Sequence, residues 1–136
     1  MNKYLKFAGL GLAAITVITI AAGAASAQED TTPKKRLNGP VTVSGEIGGE
    51  AHDSYVIRAR KGQRMTVQIT WTKEDNNKAE FTVSRSANFY GAEMVRFGQT
   101  TYLEDKWTAR IPSTGDLYIY VVAHPSAKYK LRISYR

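Results

Sequence analysis

The chain contains no cysteine. That excludes disulfide cross-links, thiol catalysis and a lipid anchor carried on an N-terminal cysteine, so any fold is held by burial alone. Histidine is almost as scarce, with only His52 and His124 present. Two histidines far apart in sequence fall short of a structural zinc set. His52 is followed by Asp53 and Ser54. Consecutive residues of an extended chain point to alternate sides, so these three cannot converge as a catalytic triad. His52 therefore reads as a surface loop residue. Glu74-Asp75 and Glu104-Asp105 pair carboxylates in loop-like stretches. Spacing alone leaves glycosidase-like use of such a pair open, but charged turn residues are the commoner explanation. No catalytic residue, metal or cofactor is expected.

Long apolar runs are absent except for one, Phe7 to Ala25, which follows Lys3 and Lys6. Ala25-Ser26-Ala27 then supplies the small-x-small pattern of a signal peptidase site, and the polar stretch QEDTTPKKR comes next. Residues 1–27 read as a secretory signal peptide cleaved before Gln28, an uncleaved membrane anchor being the other reading. Export to the periplasm or beyond the cell is expected, with no stable membrane insertion after cleavage. Residues 28–39 lack periodicity and read as a flexible polar leader. Its Lys34-Lys35-Arg36 cluster is either solvated or an electrostatic tether.

Sustained helical periodicity is missing from the rest, residues 40–136, and period-two alternation takes its place. The central stretch is SYVIRARKGQRMTVQITW, from Ser54 to Trp71. Tyr55, Ile57 and Ala59 share one face of a first strand; Met65, Val67, Ile69 and Trp71 share one face of a second. Lys61-Gly62-Gln63 turns between them, which predicts a hairpin. Val41, Val43 and Ile47 alternate before it. Phe81 with Val83, then Trp107, Ala109 and Ile111, and then Leu117, Ile119, Val121 and Ala123 alternate after it. The last strand places Tyr129, Leu131, Ile133 and Tyr135 inward. Seven to eight short strands with turns between them predict a single antiparallel β-sandwich, all-β in class.

Basic residues outnumber acidic ones by 19 to 12. On the outward phase, Arg58, Arg60 and Arg64 lie on the central hairpin and Lys128, Lys130 and Arg132 on the last strand. Were those strands neighbours, six cations would share one face, with Tyr118 and Tyr120 adding stacking surface. Such a face suits an anionic glycan or an acidic protein; a solvated, anti-aggregation face is the plain alternative. Export argues against nucleic acid. The one long irregular stretch, Ser86 to Gln99, holds Phe89, Tyr90, Arg96 and Phe97. Its aromatics either line a binding loop or close one end of the sandwich.

The order of motifs resembles the bacterial pre-peptidase C-terminal domain. Gly45-Glu46-Ile47, Asp53 to Gln63 with its D-x-Y opening and Gly62-Gln63 turn, Pro112 to Val121, and Tyr129-Lys130-Leu131 fill that family's slots. The chain is also similar to the periplasmic inhibitors of g-type lysozyme, which share the fold and a D-x-Y…K-K-G-Q-like hairpin. Where many pre-peptidase domains carry Asp-x-Asp-Leu, this chain has Lys78-Ala79-Glu80-Phe81, so no calcium is expected there. The inhibitors carry a longer basic loop before the last strand, where this chain has only His124 to Ala127. The resemblance implies a non-catalytic β-sandwich that binds an envelope glycan or protein. The alternative is an inhibitor of a g-type lysozyme or another cell-wall lytic enzyme.

Overall fold

The computed structural model describes residues 28–136; the expected signal peptide lies outside the described residues. Nine strands form two sheets packed face to face. In chain order they are β1 (Lys34–Leu37), β2 (Val41–Gly48), β3 (Asp53–Ala59), β4 (Arg64–Trp71) and β5 (Lys78–Ser84), then β6 (Gln99–Thr100), β7 (Lys106–Arg110), β8 (Gly115–His124) and β9 (Ser126–Tyr135). The four-stranded sheet runs β1-β3-β8-β5 and the five-stranded sheet β2-β9-β4-β7-β6. Alternation places the inward residues as expected: Ile57, Met65, Val67, Ile69, Trp107, Leu117, Ile119, Leu131 and Ile133 are all buried between the sheets.

Ser54 to Trp71 departs from the expectation. β3 and β4 are strands, but they do not pair; β3 bonds to β8 and β4 to β7 and β9. The turn is tight, with the Gln63 N–H donating to the Arg60 carbonyl at 3.0 Å and Gly62 at φ 92. It carries the chain from one sheet to the other, an arch rather than a hairpin. Gly62 N–H donates to the Ile111 carbonyl, and Lys61 N–H to Thr114 Oγ1, which fix the arch against the β7–β8 connection. Of the connections, only β6–β7 joins two neighbours in one sheet.

The leader also departs from the sequence reading. Lys34–Leu37 adds to the four-stranded sheet as β1, parallel to β3, and Leu37 enters the core. Upstream, the Asp30 carboxylate accepts from the Thr32 and Phe89 N–H groups, from Lys34 Nζ and from His52 Nε2. A segment without periodicity is held here by the Asp30 carboxylate, the β1–β3 ladder, the Arg36–Asp116 pair and the buried Leu37.

The residues that carried the family resemblance converge inside the sandwich. Tyr129 on β9 donates its hydroxyl hydrogen to Asp53 Oδ2 on β3. A phenol has one hydrogen to give, so Tyr55 donates to the Tyr129 oxygen, 2.5 Å away. Three side chains from opposite sheets are thereby joined, and burial, followed by the Asp53 and Tyr55 contacts, pushes the Tyr129 phenol far up from its ordinary value.

Candidate functional site

The outer face of the five-stranded sheet concentrates cations. Because Met65, Val67 and Ile69 point inward, Arg64, Thr66, Gln68 and Thr70 point out. The same phase puts Lys106, Thr108 and Arg110 outward on β7, and Lys128, Lys130 and Arg132 outward on β9. Register aligns Arg132 with Gln68, Gln68 with Lys106, and Arg64 with Arg110. Cations two positions apart along β9 stand about 7 Å from one another, and neighbouring strands are about 4.8 Å apart. All six cations are exposed. The outward strand positions carry one acid, Glu46, opposite Lys128. Among the described residues, none of these cations is in an ion pair. A shallow cradle of ≈ 620 Å³ lies over β2, β9 and β4, where Lys128 and Lys130 stand among Ser44, Thr70, Thr72 and Glu46.

The other sheet is electrostatically different. Every ion pair among the described residues involves it or the segment leading into it: Lys34–Asp30, Arg36–Asp116, His52–Asp30 and Lys78–Glu80. Arg36 grips Asp116 through both Nη atoms, at 3.4 and 3.1 Å. That hydrogen-bonded fork, with Arg58 and Arg85 nearby, holds the Asp116 carboxyl below its usual range. On this sheet Lys34, Arg36 and Lys78 are each in an ion pair, while Lys35 and Arg58 are not; on the outer face of the five-stranded sheet no cation among the described residues is.

The six-cation face expected from the sequence is therefore divided. Arg64, Lys128, Lys130 and Arg132 do share a face. Arg58 on β3 and Arg60 at the start of the arch belong to the four-stranded side, because β3 and β4 lie in different sheets. Tyr118 and Tyr120 sit on β8, also in the four-stranded sheet, and cannot add stacking surface to the basic face. Tyr120 is 1% exposed, beneath the His52 and Phe89 rings, and donates its hydroxyl to the Ser86 carbonyl at 2.6 Å. Burial pushes its phenol up to about 12.

The 86–99 stretch lies flat. Phe89 stacks on His52 with centroids 3.8 Å apart and planes 7° from parallel. Further on, Val83 N–H donates to Met94 Sδ and Val95 N–H to the Val83 carbonyl, so the stretch covers the open edge of β5. Phe97 packs on Trp107, whose Nε1 donates to the Phe97 carbonyl. Tyr90 and Arg96 stay exposed. His52 is buried rather than a surface residue, held by Phe89 and by Asp30, whose side chain is 2% exposed. Burial works to raise the Asp30 carboxyl, but the N–H groups of Phe89 and Thr32 and the Lys34 ammonium outweigh it and hold it low.

Sequence reasoning passed over Lys106 and Arg110. The signal was present, since both fall on the outward phase of the Trp107, Ala109, Ile111 alternation. It also passed over Tyr102 and Leu103, 97% and 69% exposed on the β6–β7 turn. Nothing in their sequence context separates them from core residues.

Three solved structures share this fold over most of the chain. PliG of Aeromonas hydrophila, a periplasmic inhibitor of g-type lysozyme, is 20% identical, covers 76% of this chain and 96% of its own, and superposes with a TM-score of 0.60. The pre-peptidase C-terminal domain of a Bacillus anthracis collagenase is 18% identical over 79% of this chain and 100% of that domain, at a TM-score of 0.54. PliG of Salmonella Typhimurium, another periplasmic inhibitor of g-type lysozyme, is 16% identical over 78% and 100%, at a TM-score of 0.51. Both resemblances read from the sequence reappear here, and at these identities the likeness is one of fold. No protein-family model matches the chain, and no curated protein matches its sequence.

Proposed function

We propose that this is an exported, non-catalytic binding protein that takes up an anionic envelope ligand, an acidic glycan first, on the outer face of its five-stranded sheet. The observation that carries this reading is the charge contrast between the sheets. Six exposed cations on one face lack ion-pair partners among the described residues, whereas on the other sheet Lys34, Arg36 and Lys78 are each paired with an acid. Unmatched like charges repel one another in the free protein and attract a polyanion. Hydroxyls and amides at Ser44, Thr66, Gln68, Thr70 and Thr108 alternate with the cations and offer neutral hydrogen bonds to a sugar. The test is retention of the protein by a polyuronic acid but not by neutral dextran, with the retention lost in high salt.

A second reading is inhibition of a g-type lysozyme or another lytic enzyme, and it rests on the fold shared with two such inhibitors. Tyr90 and Arg96 are exposed, but their stretch is bonded down along β5. Tyr102 and Leu103 are the side chains that project. Loss of lysozyme activity on adding the protein, relieved by Tyr102→Ala or by Tyr90→Ala with Arg96→Ala, supports inhibition. Full lysozyme activity at stoichiometric excess of the protein contradicts it.

A further inference from the structure

At one end of the basic face three arginines stand in a single cross-strand row. Arg64 on β4 is the register partner of Arg110 on β7. On its other side Arg64 exchanges both backbone N–H···O bonds with Arg136, at 3.0 and 3.1 Å, just beyond β9. The three guanidinium groups thus spring from adjacent backbone positions about 5 Å apart. All three residues are exposed. Like charges directly opposite one another destabilise a sheet. Among the described residues no side-chain carboxylate pairs with any of them. Arg110 Nη1 donates to the Gly62 carbonyl at 3.3 Å, which leaves most of its fork free. A concavity of ≈ 290 Å³ opens beside the row, lined by Arg64, Thr66, Ser134, Tyr135 and Arg136. Thr66 and Ser134 are register partners on the outward phase, one step along from the arginines.

We infer that this row is a subsite for a doubly charged tetrahedral oxyanion, the phosphate monoester of a phosphorylated glycan. The inference rests on the reading of this face as an anion-binding surface and narrows its ligand. A uronate carboxylate brings one negative charge and two acceptor oxygens. A phosphate monoester brings close to two charges and three strong acceptors, a better match to three guanidinium groups carried on neighbouring backbone positions. Arginine forks bind such oxygens in pairs, in a way the point charges of Lys128 and Lys130 do not. The Thr66 and Ser134 hydroxyls stand ready for a remaining phosphoryl oxygen or the adjoining sugar hydroxyl. The repulsion stored in the free row is released when the dianion binds.

The probe is glucose 6-phosphate, titrated against glucuronate and glucose at matched ionic strength and followed by amide NMR shifts and by thermal unfolding. Glucose 6-phosphate is expected to shift the amides of Arg64, Thr66, Arg110, Ser134 and Arg136, to raise Tm, and to bind roughly tenfold or more tightly than glucuronate. Arg64→Gln and Arg110→Gln should each weaken that binding by roughly tenfold while raising the ligand-free Tm, because each removes a like-charge opposition. A purely solvated arginine row would bind glucose 6-phosphate no more tightly than glucuronate, and neither variant would weaken that binding. Equal binding of glucuronate, shifts centred on Lys128 and Lys130, or a lowered ligand-free Tm in both variants overturns the inference. Retained binding of polyuronic acid without any response to glucose 6-phosphate overturns this subsite alone; loss of both overturns the wider reading as well.

Discussion

Gly45 lies directly opposite Tyr129 in the β2–β9 ladder, and the tyrosine ring fills the space a side chain at position 45 would need. A Cβ built on Gly45 would stand 2.6 Å from the Tyr129 hydroxyl oxygen. The ring cannot move away freely, because that hydroxyl donates to Asp53 and accepts from Tyr55. A ring laid over a facing strand glycine thus ties the two sheets together. Gly45, Asp53, Tyr55 and Tyr129 are among the residues that carried the family resemblance, so part of what that resemblance reports is this internal tie.

Gly45→Ala should therefore destabilise the protein by about 1–3 kcal/mol through overpacking. Tyr129→Phe should cost a similar amount, about 1–3 kcal/mol, because it leaves Asp53 and Tyr55 without a shared partner. Urea unfolding of both variants measures this. An unchanged midpoint for Gly45→Ala would mean that the ring is not held where the structure puts it.

Register makes a second prediction. Ile69 is 1% exposed, whereas Thr66, on the same strand, faces outward. Ile69→Ala should cost about 2–5 kcal/mol, and Thr66→Ala well under about 1 kcal/mol. Equal costs would place β4 one residue out of register.

Acid should loosen the N-terminal segment first. Asp30 titrates below its usual 3.8 in the folded chain, so it contributes stability above that value and loses it as pH falls through the lower, folded value. The groups that face it are the Lys34 ammonium, the His52 ring and two backbone N–H groups. Asp30→Asn should be less stable than the parent near neutral pH, and the gap should close in strong acid. In base the sign reverses for Tyr120, whose phenol is raised from 10.0 to about 12. Its contribution is intact below the lower value and is lost as pH climbs toward the upper one. Chemical denaturation across pH, with Tyr120→Phe as the control, separates the two limbs.

Processing gives a fourth prediction. Ala25 and Ala27 suit the small pockets of a signal peptidase. Mass spectrometry of protein from its native envelope should find Gln28 as the first residue; recovery of residues 1–27 intact in the membrane fraction contradicts export by cleavage.

Much of the fold was legible because alternation is local. Met65, Val67 and Ile69, or Leu131 and Ile133, announce their inward face without reference to any other strand. What joins one strand to another is not local. The Gln63-to-Arg60 turn bond would look the same in a hairpin as in the arch it closes, and only distant partners distinguish the two: β8 for β3, and β7 and β9 for β4. That one ambiguity moved Arg58 and Arg60 off the basic face. Asp30 and Leu37 were illegible for a related reason: each acts singly, without a pattern, through residues far along the chain. Lys106 and Arg110 were within reach, since the strand that carries them was read correctly and only its outward side went uncounted.

The claim that the five-stranded sheet is the binding face is tested most directly by paired charge removal on the two sheets. Lys130→Gln with Arg132→Gln takes two cations from the proposed face, while Arg58→Gln with Arg60→Gln takes two from the other side at equal net charge. Binding to a polyuronic acid is then measured for both variants at low and high salt. The account predicts that the first pair loses most of the affinity and flattens the salt dependence, whereas the second behaves as the parent. Equal losses from the two pairs would show that net charge alone drives binding, and would contradict the assignment of a site to this sheet.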